Sequence, residues 1–397
     1  MKKIISGSRN TIGRITRTFR EFSRSQQFSG VLLIVCTLAS LYLANSKASF
    51  LWAEIRHYHL PQSRISAEFL VNDVLMALFF LLAGLEIKRE FLAGELAGFS
   101  RAALPVSAAI GGMIVPALLF SLVTQNTPHQ QSWGIPMATD IAFSLGILSL
   151  LGNRVPISLK VFLVALAVAD DLGAIAVIGF FYTDTFQPLW FLLGMLPVLV
   201  MYVLNIKKIE NISFYFMSGA VLWYCLLKAG VHPTIAGVVM AFMIPFGKEE
   251  ENCGLHRLER ALHSPVNFFI MPVFALWNTA VSVESGGLSS LNGALALGIM
   301  LGLIIGKPAG IFLFSWLSIK LKLGKWPEQC SPLHVLGAGM LGGIGFTMSI
   351  FVTLLSVKSV YDIQVAKLAI LIASLVSALG GLIFLALLKA PKIRRGE

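Results

Sequence analysis

The chain has 397 residues, of which 56% are hydrophobic and 13% charged, and its mean hydropathy is +0.79. These proportions exclude a water-soluble globular domain and a disordered chain, and they point to a polytopic membrane protein. The formal net charge of +11 requires no nucleic acid partner, because the basic residues gather at the ends of apolar segments and show no interleaving with aromatic residues of the RNA-binding kind.

Crossing ~30 Å of hydrocarbon takes roughly 17 to 25 helical residues. Stretches of this kind recur along the chain and predict an all-α fold of twelve transmembrane helices, at 28–46, 67–87, 102–123, 134–151, 157–181, 188–205, 212–227, 230–246, 263–281, 291–316, 334–355 and 363–388. No connector is long enough for a separate soluble domain, so 28–388 is read as one transmembrane domain.

The first 27 residues carry seven Lys/Arg and one Glu ahead of an apolar segment too long for a cleaved signal. They are expected to form a basic cytoplasmic tail, with 389–397 as a second one. With twelve spans, "KREFLAGELAGFSR", "GKEEENCGLHRLER", "KLKLGKW" and the tail "KAPKIRRGE" all fall on the side of the N-terminus, as the positive-inside rule requires. The four cysteines have no paired spacing and indicate neither a disulfide framework nor zinc.

Five ionisable residues lie well inside apolar segments: Asp73, Asp140, Asp170, Asp171 and Lys307. A charge at mid-helix costs roughly 3 kcal/mol on the insertion scale, so five facing lipid would cost on the order of 15 kcal/mol. They must face a cavity or one another. Asp73 follows Asn72 near the start of its span and can also be read as a helix cap.

Asp140 lies in "GIPMATDIAFSLGILSLLG", where Pro136 lacks a donor and Thr139 can bond the backbone, so a straight helix is not expected. Asp170 and Asp171 point about 100° apart on a helix and cannot share one partner. Around them Ala167, Ala169, Gly173 and Ala174 allow another backbone to come close. Lys307 stands beside a stripe of Gly298, Gly302, Gly306 and Gly310 and before Pro308. Its natural partner is an acid across the bundle, the alternative being snorkelling to the inner surface. In "GAGMLGGIGFTMSIF", Gly342, Gly343 and Gly345 predict a second broken span, with glycine used only for close packing as the plainer alternative.

Interrupted segments in corresponding places of two halves point to a transport site at the midplane, where half-helix ends and freed carbonyls face ions. A proton or a hard monovalent cation relieves the same buried negative charge, and carboxylate, hydroxyl and carbonyl oxygens suit such a cation. If the site opens alternately to each side, this competition becomes coupled exchange. Two other readings compete. An intramembrane aspartyl protease would use an aspartate dyad, but its GxGD signature is absent and Lys307 has no role in it. A sodium-coupled symporter needs a solute pocket, and no span supplies an anchoring arginine.

Five stretches resemble, in order, the NhaA family of sodium/proton antiporters: "NDVLMALFFLLAGLEIKREF" (72–91), "GIPMATDIAFSLGIL" (134–148), "ALAVADDLGAIAVIGFFYT" (165–183), "GKPAGI" (306–311) and "GGIGFTMSIF" (342–351). The resemblance runs from about residue 28 to 388. It implies the architecture known for this family: inverted-topology repeats, here 102–182 and 291–388, with two broken, crossing helices. Residues 28–90 and 188–285 would form a dimerisation panel.

The resemblance also implies a homodimer in the bacterial inner membrane, both termini cytoplasmic, exchanging Na+ and Li+ for H+ by alternating access. Exchange would be electrogenic, with more protons than sodium ions moved per cycle, activated by rising pH, and used for sodium and pH homeostasis. No enzyme chemistry, cofactor or structural metal is implied; the ligands are the transported ions and the surrounding lipid bilayer. Asp171 and Asp140 would carry cation and proton, with Thr139 nearby, Asp170 paired with Lys307, and Asp73 an accessory acid. The implied pH sensor is Glu86, Arg89, Glu90, Glu259 and His263, with Arg260 where the family often has a second histidine. Spacing allows Glu86 and Arg89 to pair at i, i+3. His57, His59 and His232 read as surface or interfacial groups.

Overall fold

The computed structural model describes residues 28–58, 66–183, 186–247, 253–282 and 288–388. The expected tails 1–27 and 389–397, and His59, lie outside the described residues. Every regular element among the described residues is helical.

By length and composition, seven helices can cross a membrane: α3 (Ala67–Ala93), α4 (Arg101–Val123), α6 (Ile157–Phe181), α7 (Pro188–Ile206), α8 (Ile212–Ala229), α12 (Ala294–Lys320) and α15 (Val360–Leu387). Three more candidates are bent pairs. These are α1 (Phe28–Ala44) with α2 (Ser49–Arg56) at 115°, the 3-10 turns of Pro128–Met137 with α5 (Ile141–Leu150) at 45°, and α13 (Pro332–Gly342) with α14 (Phe346–Ser356) at 49°.

The described chain thus offers seven to ten such segments, fewer than the twelve expected, and the difference lies in two places. The segment at 230–246 contains only the nine-residue α9 (Ile235–Met243). It follows Pro233 and ends before Pro245. Ile244, the residue before that proline, is extended with ψ 131°, as steric conflict with a proline ring demands. The segment at 263–281 is divided between α10 (Gly254–Pro265), a π turn at Val266–Ile270 and α11 (Met271–Asn278).

Two of the wide turns have a common cause. Val266–Ile270 comes just before Pro272, and the π turn Gly302–Gly306 inside α12 just before Pro308. A proline offers no N–H to the carbonyl one turn back and its ring collides with that carbonyl, so the helix widens ahead of it.

The glycine stripe of α12 packs on α4. A Cβ added at Gly298 would lie 2.9 Å from the Phe120 ring, at Gly306 2.9 Å from Cα of Pro116, and at Gly310 2.1 Å from the Gly111 carbonyl oxygen. Conversely, one at Gly111 would lie 2.3 Å from the carbonyl of Gly310. Main chain meets main chain, leaving no flexible side-chain tip to yield. Gly310→Val is expected to lower stability by about 3 kcal/mol, the upper end of overpacking costs. The check is the melting temperature in detergent; an unchanged value would mean that the seam can part.

Helices α7 and α8 leave Leu189, Leu192, Leu196, Met217 and Val221 exposed. Such a surface is stable in lipid rather than water.

Candidate functional site

The first break places Thr139 and Asp140. Pro136 belongs to the short 3-10 turn Ile135–Met137, after which Ala138 (ψ 147°) and Asp140 (ψ 100°) are extended before α5 begins. The second break, Gly343 to Gly345, separates α13 from α14. A Cβ at Gly343 would stand 2.4 Å from the Leu303 carbonyl, and one at Gly342 2.9 Å from Ile311. Only glycine fits at Gly343 without moving a backbone atom.

Hydrogen bonds join the two breaks. The Thr139 hydroxyl donates to the Gly342 carbonyl (2.9 Å), the Asp140 N–H to the Ile344 carbonyl (2.7 Å) and the Ser144 hydroxyl to the Leu341 carbonyl (2.8 Å). The Ser349 hydroxyl donates back to the Ile135 carbonyl at 2.8 Å. Carbonyls freed where a helix stops inside the protein must find donors, and each break supplies donors for the other.

The Asp140 carboxylate accepts from the N–H of Phe143 (3.0 Å), the N–H of Thr347 (3.3 Å) and the Thr347 hydroxyl. It therefore faces the N-terminal ends of both α5 and α14, where helix dipoles favour negative charge. Asp140 is the N-cap of α5 as well as a wall of the cavity described below. Capping and site roles coincide in one residue.

Asp170 and Asp171 sit midway along α6, in the packed environment their small neighbours foretell; a Cβ at Gly173 would meet Met113 Sδ at 2.1 Å. Asp170 Oδ2 accepts from Lys307 Nζ at 2.6 Å, both residues being buried, and the same ammonium donates to the Met137 carbonyl. Lys307 thus ties α6 and α12 to the first break and does not snorkel. Oδ1 of Asp170 is buried without a hydrogen bond.

One residue on, Asp171 turns to a cavity of about 60 Å³ that it shares with Thr139, Asp140, Glu86, His263 and Asn267. That is room for a few water-sized spheres. Among the described residues no side-chain cation pairs with Asp140 or Asp171. The aspartates Asp140, Asp170 and Asp171 thus stand against one ammonium, with the Glu86 carboxylate a fourth acid on the cavity wall.

At the expected cytoplasmic mouth, Arg89 bonds Glu90 Oε1 at 2.8 Å and Glu259 Oε1 at 2.9 Å. The spacing also allows Arg89 to pair with Glu86, and the structure gives Arg89 these two bonds instead. Glu86 turns instead to the cavity, and Arg89 reaches across to α10. Burial pushes the Glu259 carboxyl above its ordinary range, while the Arg89 guanidinium draws it back down. Lys88, also buried, donates to the carbonyls of Phe242 (2.7 Å) and Ile244, where the end of α9 favours a cation.

Asp73 does not line this cavity. It lies in the π turn Leu70–Leu75, and the cap of α3 is Ser66, whose hydroxyl accepts from the Phe69 N–H at 3.1 Å. The structure brings together Thr139, Asp140, Asp171, Glu86 and His263 at the cavity, sets Asp170 and Lys307 beside it, and leaves Asp73 apart. The sequence alone does not place Thr347 or Asn267 in the site. It also missed Lys367, 2% exposed on α15; position inside an apolar span was the available signal for that lysine.

Comparisons with known proteins agree along the length of the chain. The family model described as Na+/H+ antiporter 1 matches residues 20–385. Na(+)/H(+) antiporter NhaA 2 of Flavobacterium johnsoniae is 49% identical over 377 residues, 93% of this chain and 92% of that protein. Na(+)/H(+) antiporter NhaA of Dechloromonas aromatica is 48% identical, covering 95% and 97% respectively, and that of Vibrio alginolyticus 44% identical, covering 91% and 95%.

Proposed function

This chain belongs to the Na+/H+ antiporter 1 family, and on that premise we propose that it exchanges Na+ and Li+ for H+ across the bacterial inner membrane. Exchange is electrogenic, proceeds by alternating access and switches on as pH rises, serving sodium and pH homeostasis. Asp171 and Asp140 carry cation and protons in turn, with Thr139 beside them. Lys307 neutralises Asp170, which holds the breaks in register. Arg89, Glu86, Glu90, Glu259 and His263 respond to cytoplasmic pH. Asp73, which is not among the residues lining the cavity, is an accessory acid.

In this reading the segments unresolved by length alone complete twelve spans with both termini in the cytoplasm. Residues 102–182 and 291–388 are the inverted repeats whose broken helices cross, and 28–90 with 188–285 is the panel through which two copies pair.

One observation carries the reading: Asp140 and Asp171 share a small cavity, and among the described residues no side-chain cation pairs with either. A buried negative charge of this kind must be relieved by a proton or a metal cation. Carboxylate, hydroxyl and carbonyl oxygens are ligands a hard cation accepts. The test uses everted vesicles with a preset proton gradient, given sodium at several pH values without any organic solute. Sodium and lithium should collapse the gradient, more strongly at alkaline than at acidic pH. A gradient that persists overturns the proposal.

A further inference from the structure

Glu259, His263, Asn267 and Met271 stand four residues apart, so they follow one another down one side of α10, the π turn and α11. Glu259 is bound to Arg89 at the mouth, whereas His263, Asn267 and Met271 line the cavity with Asp140 and Asp171. At 1.5 Å per residue, Asn267 lies roughly 6 Å deeper than His263.

The surroundings of Asn267 orient its side chain. Its main-chain carbonyl accepts from the Ser29 hydroxyl of α1 at 2.9 Å, and its amide nitrogen lies 3.2 Å from Nε2 of His263. With the nitrogen held by the ring, the other end of the amide is the oxygen. No described residue donates a hydrogen bond to that oxygen, and the residue borders the cavity.

We infer that the Asn267 amide oxygen is a ligand for the transported cation, met one turn inside the mouth before Asp171 and Asp140; this rests on the cavity being the cation site. A hard cation shedding water needs replacement oxygens. A neutral amide oxygen supplies one without the tight hold of a carboxylate, so the ion is collected yet still passed on. His263 is the positioning residue that keeps nitrogen away from the ion's path.

The experiment measures initial rates against sodium concentration in everted vesicles for Asn267→Leu, which keeps the bulk, and Asn267→Asp, which keeps the oxygen. Asn267→Leu should raise the apparent KM for Na+ about five-fold, the worth of one modest polar contact, with the maximal rate within about two-fold, as loss of a ground-state contact requires. Asn267→Asp should keep the KM at or below the wild-type value. The melting temperature of Asn267→Leu should stay the same, because the Ser29 bond is to the main chain. If it falls, Asn267→Ala under the same readout decides instead.

An unchanged KM in the variant lacking the oxygen, or an equal rise in Asn267→Asp, overturns the assignment while leaving sodium/proton exchange in place. Wild-type vesicles that move no protons with sodium overturn both.

Discussion

Asp171→Asn yields a protein that inserts and melts like the wild type but no longer moves protons when sodium is added. The side chains have nearly the same shape, and no ion pair between the Asp171 carboxylate and a described residue is lost. What disappears is a unit negative charge beside a small cavity. At about 3 Å, in surroundings less polar than water, that charge is worth several kcal/mol to a cation. A loss of about a hundred-fold or more in sodium-driven proton flux follows, since each 1.36 kcal/mol is a factor of ten. Normal exchange by this variant would remove Asp171 from the mechanism. Asp140→Asn makes an instructive contrast. It should lose both transport and stability, because that carboxylate also accepts from Phe143 and Thr347 at the heads of two helices.

Lys307→Ala is expected to cost about 3 kcal/mol or more in stability, by leaving Asp170 as an uncompensated buried acid. It also strips the Met137 carbonyl of its donor. Melting in detergent measures the loss. The double variant Asp170→Asn/Lys307→Ala should recover part of it, because the stranded charge is gone while the Met137 carbonyl still lacks a partner. If the single variant melts at the wild-type temperature, the ion pair does not support the fold. If the double variant is no better than the single, the damage comes from the break and not from the acid.

What the sequence revealed follows the cost of each group in hydrocarbon. Five charged side chains inside apolar spans could not be ignored; a buried cation needs an acid, and the family resemblance implied that the acid for Lys307 is Asp170. Pro136 and the glycines from Gly342 to Gly345 break hydrogen-bond ladders, so both kinks could be anticipated. Thr347, Ser144 and Asn267 were harder to assign, since a hydroxyl or amide in a membrane helix can be satisfied by its own backbone and carries no strong warning. The bond from Arg89 to Glu259 was not legible for another reason: spacing along one helix says which residues can be near, not which one reaches across to another helix. Likewise the apolar run at 230–246 concealed how firmly Pro233 and Pro245 limit α9 to nine residues.

The contact between Gly111 and Gly310 bears on how such a molecule moves. Two rods mated with nothing compressible between them share each tilt and slide, and so behave as one strut. Any rearrangement that exposes the cavity to the other side must pivot around this strut, and a chemical staple across it should leave turnover intact.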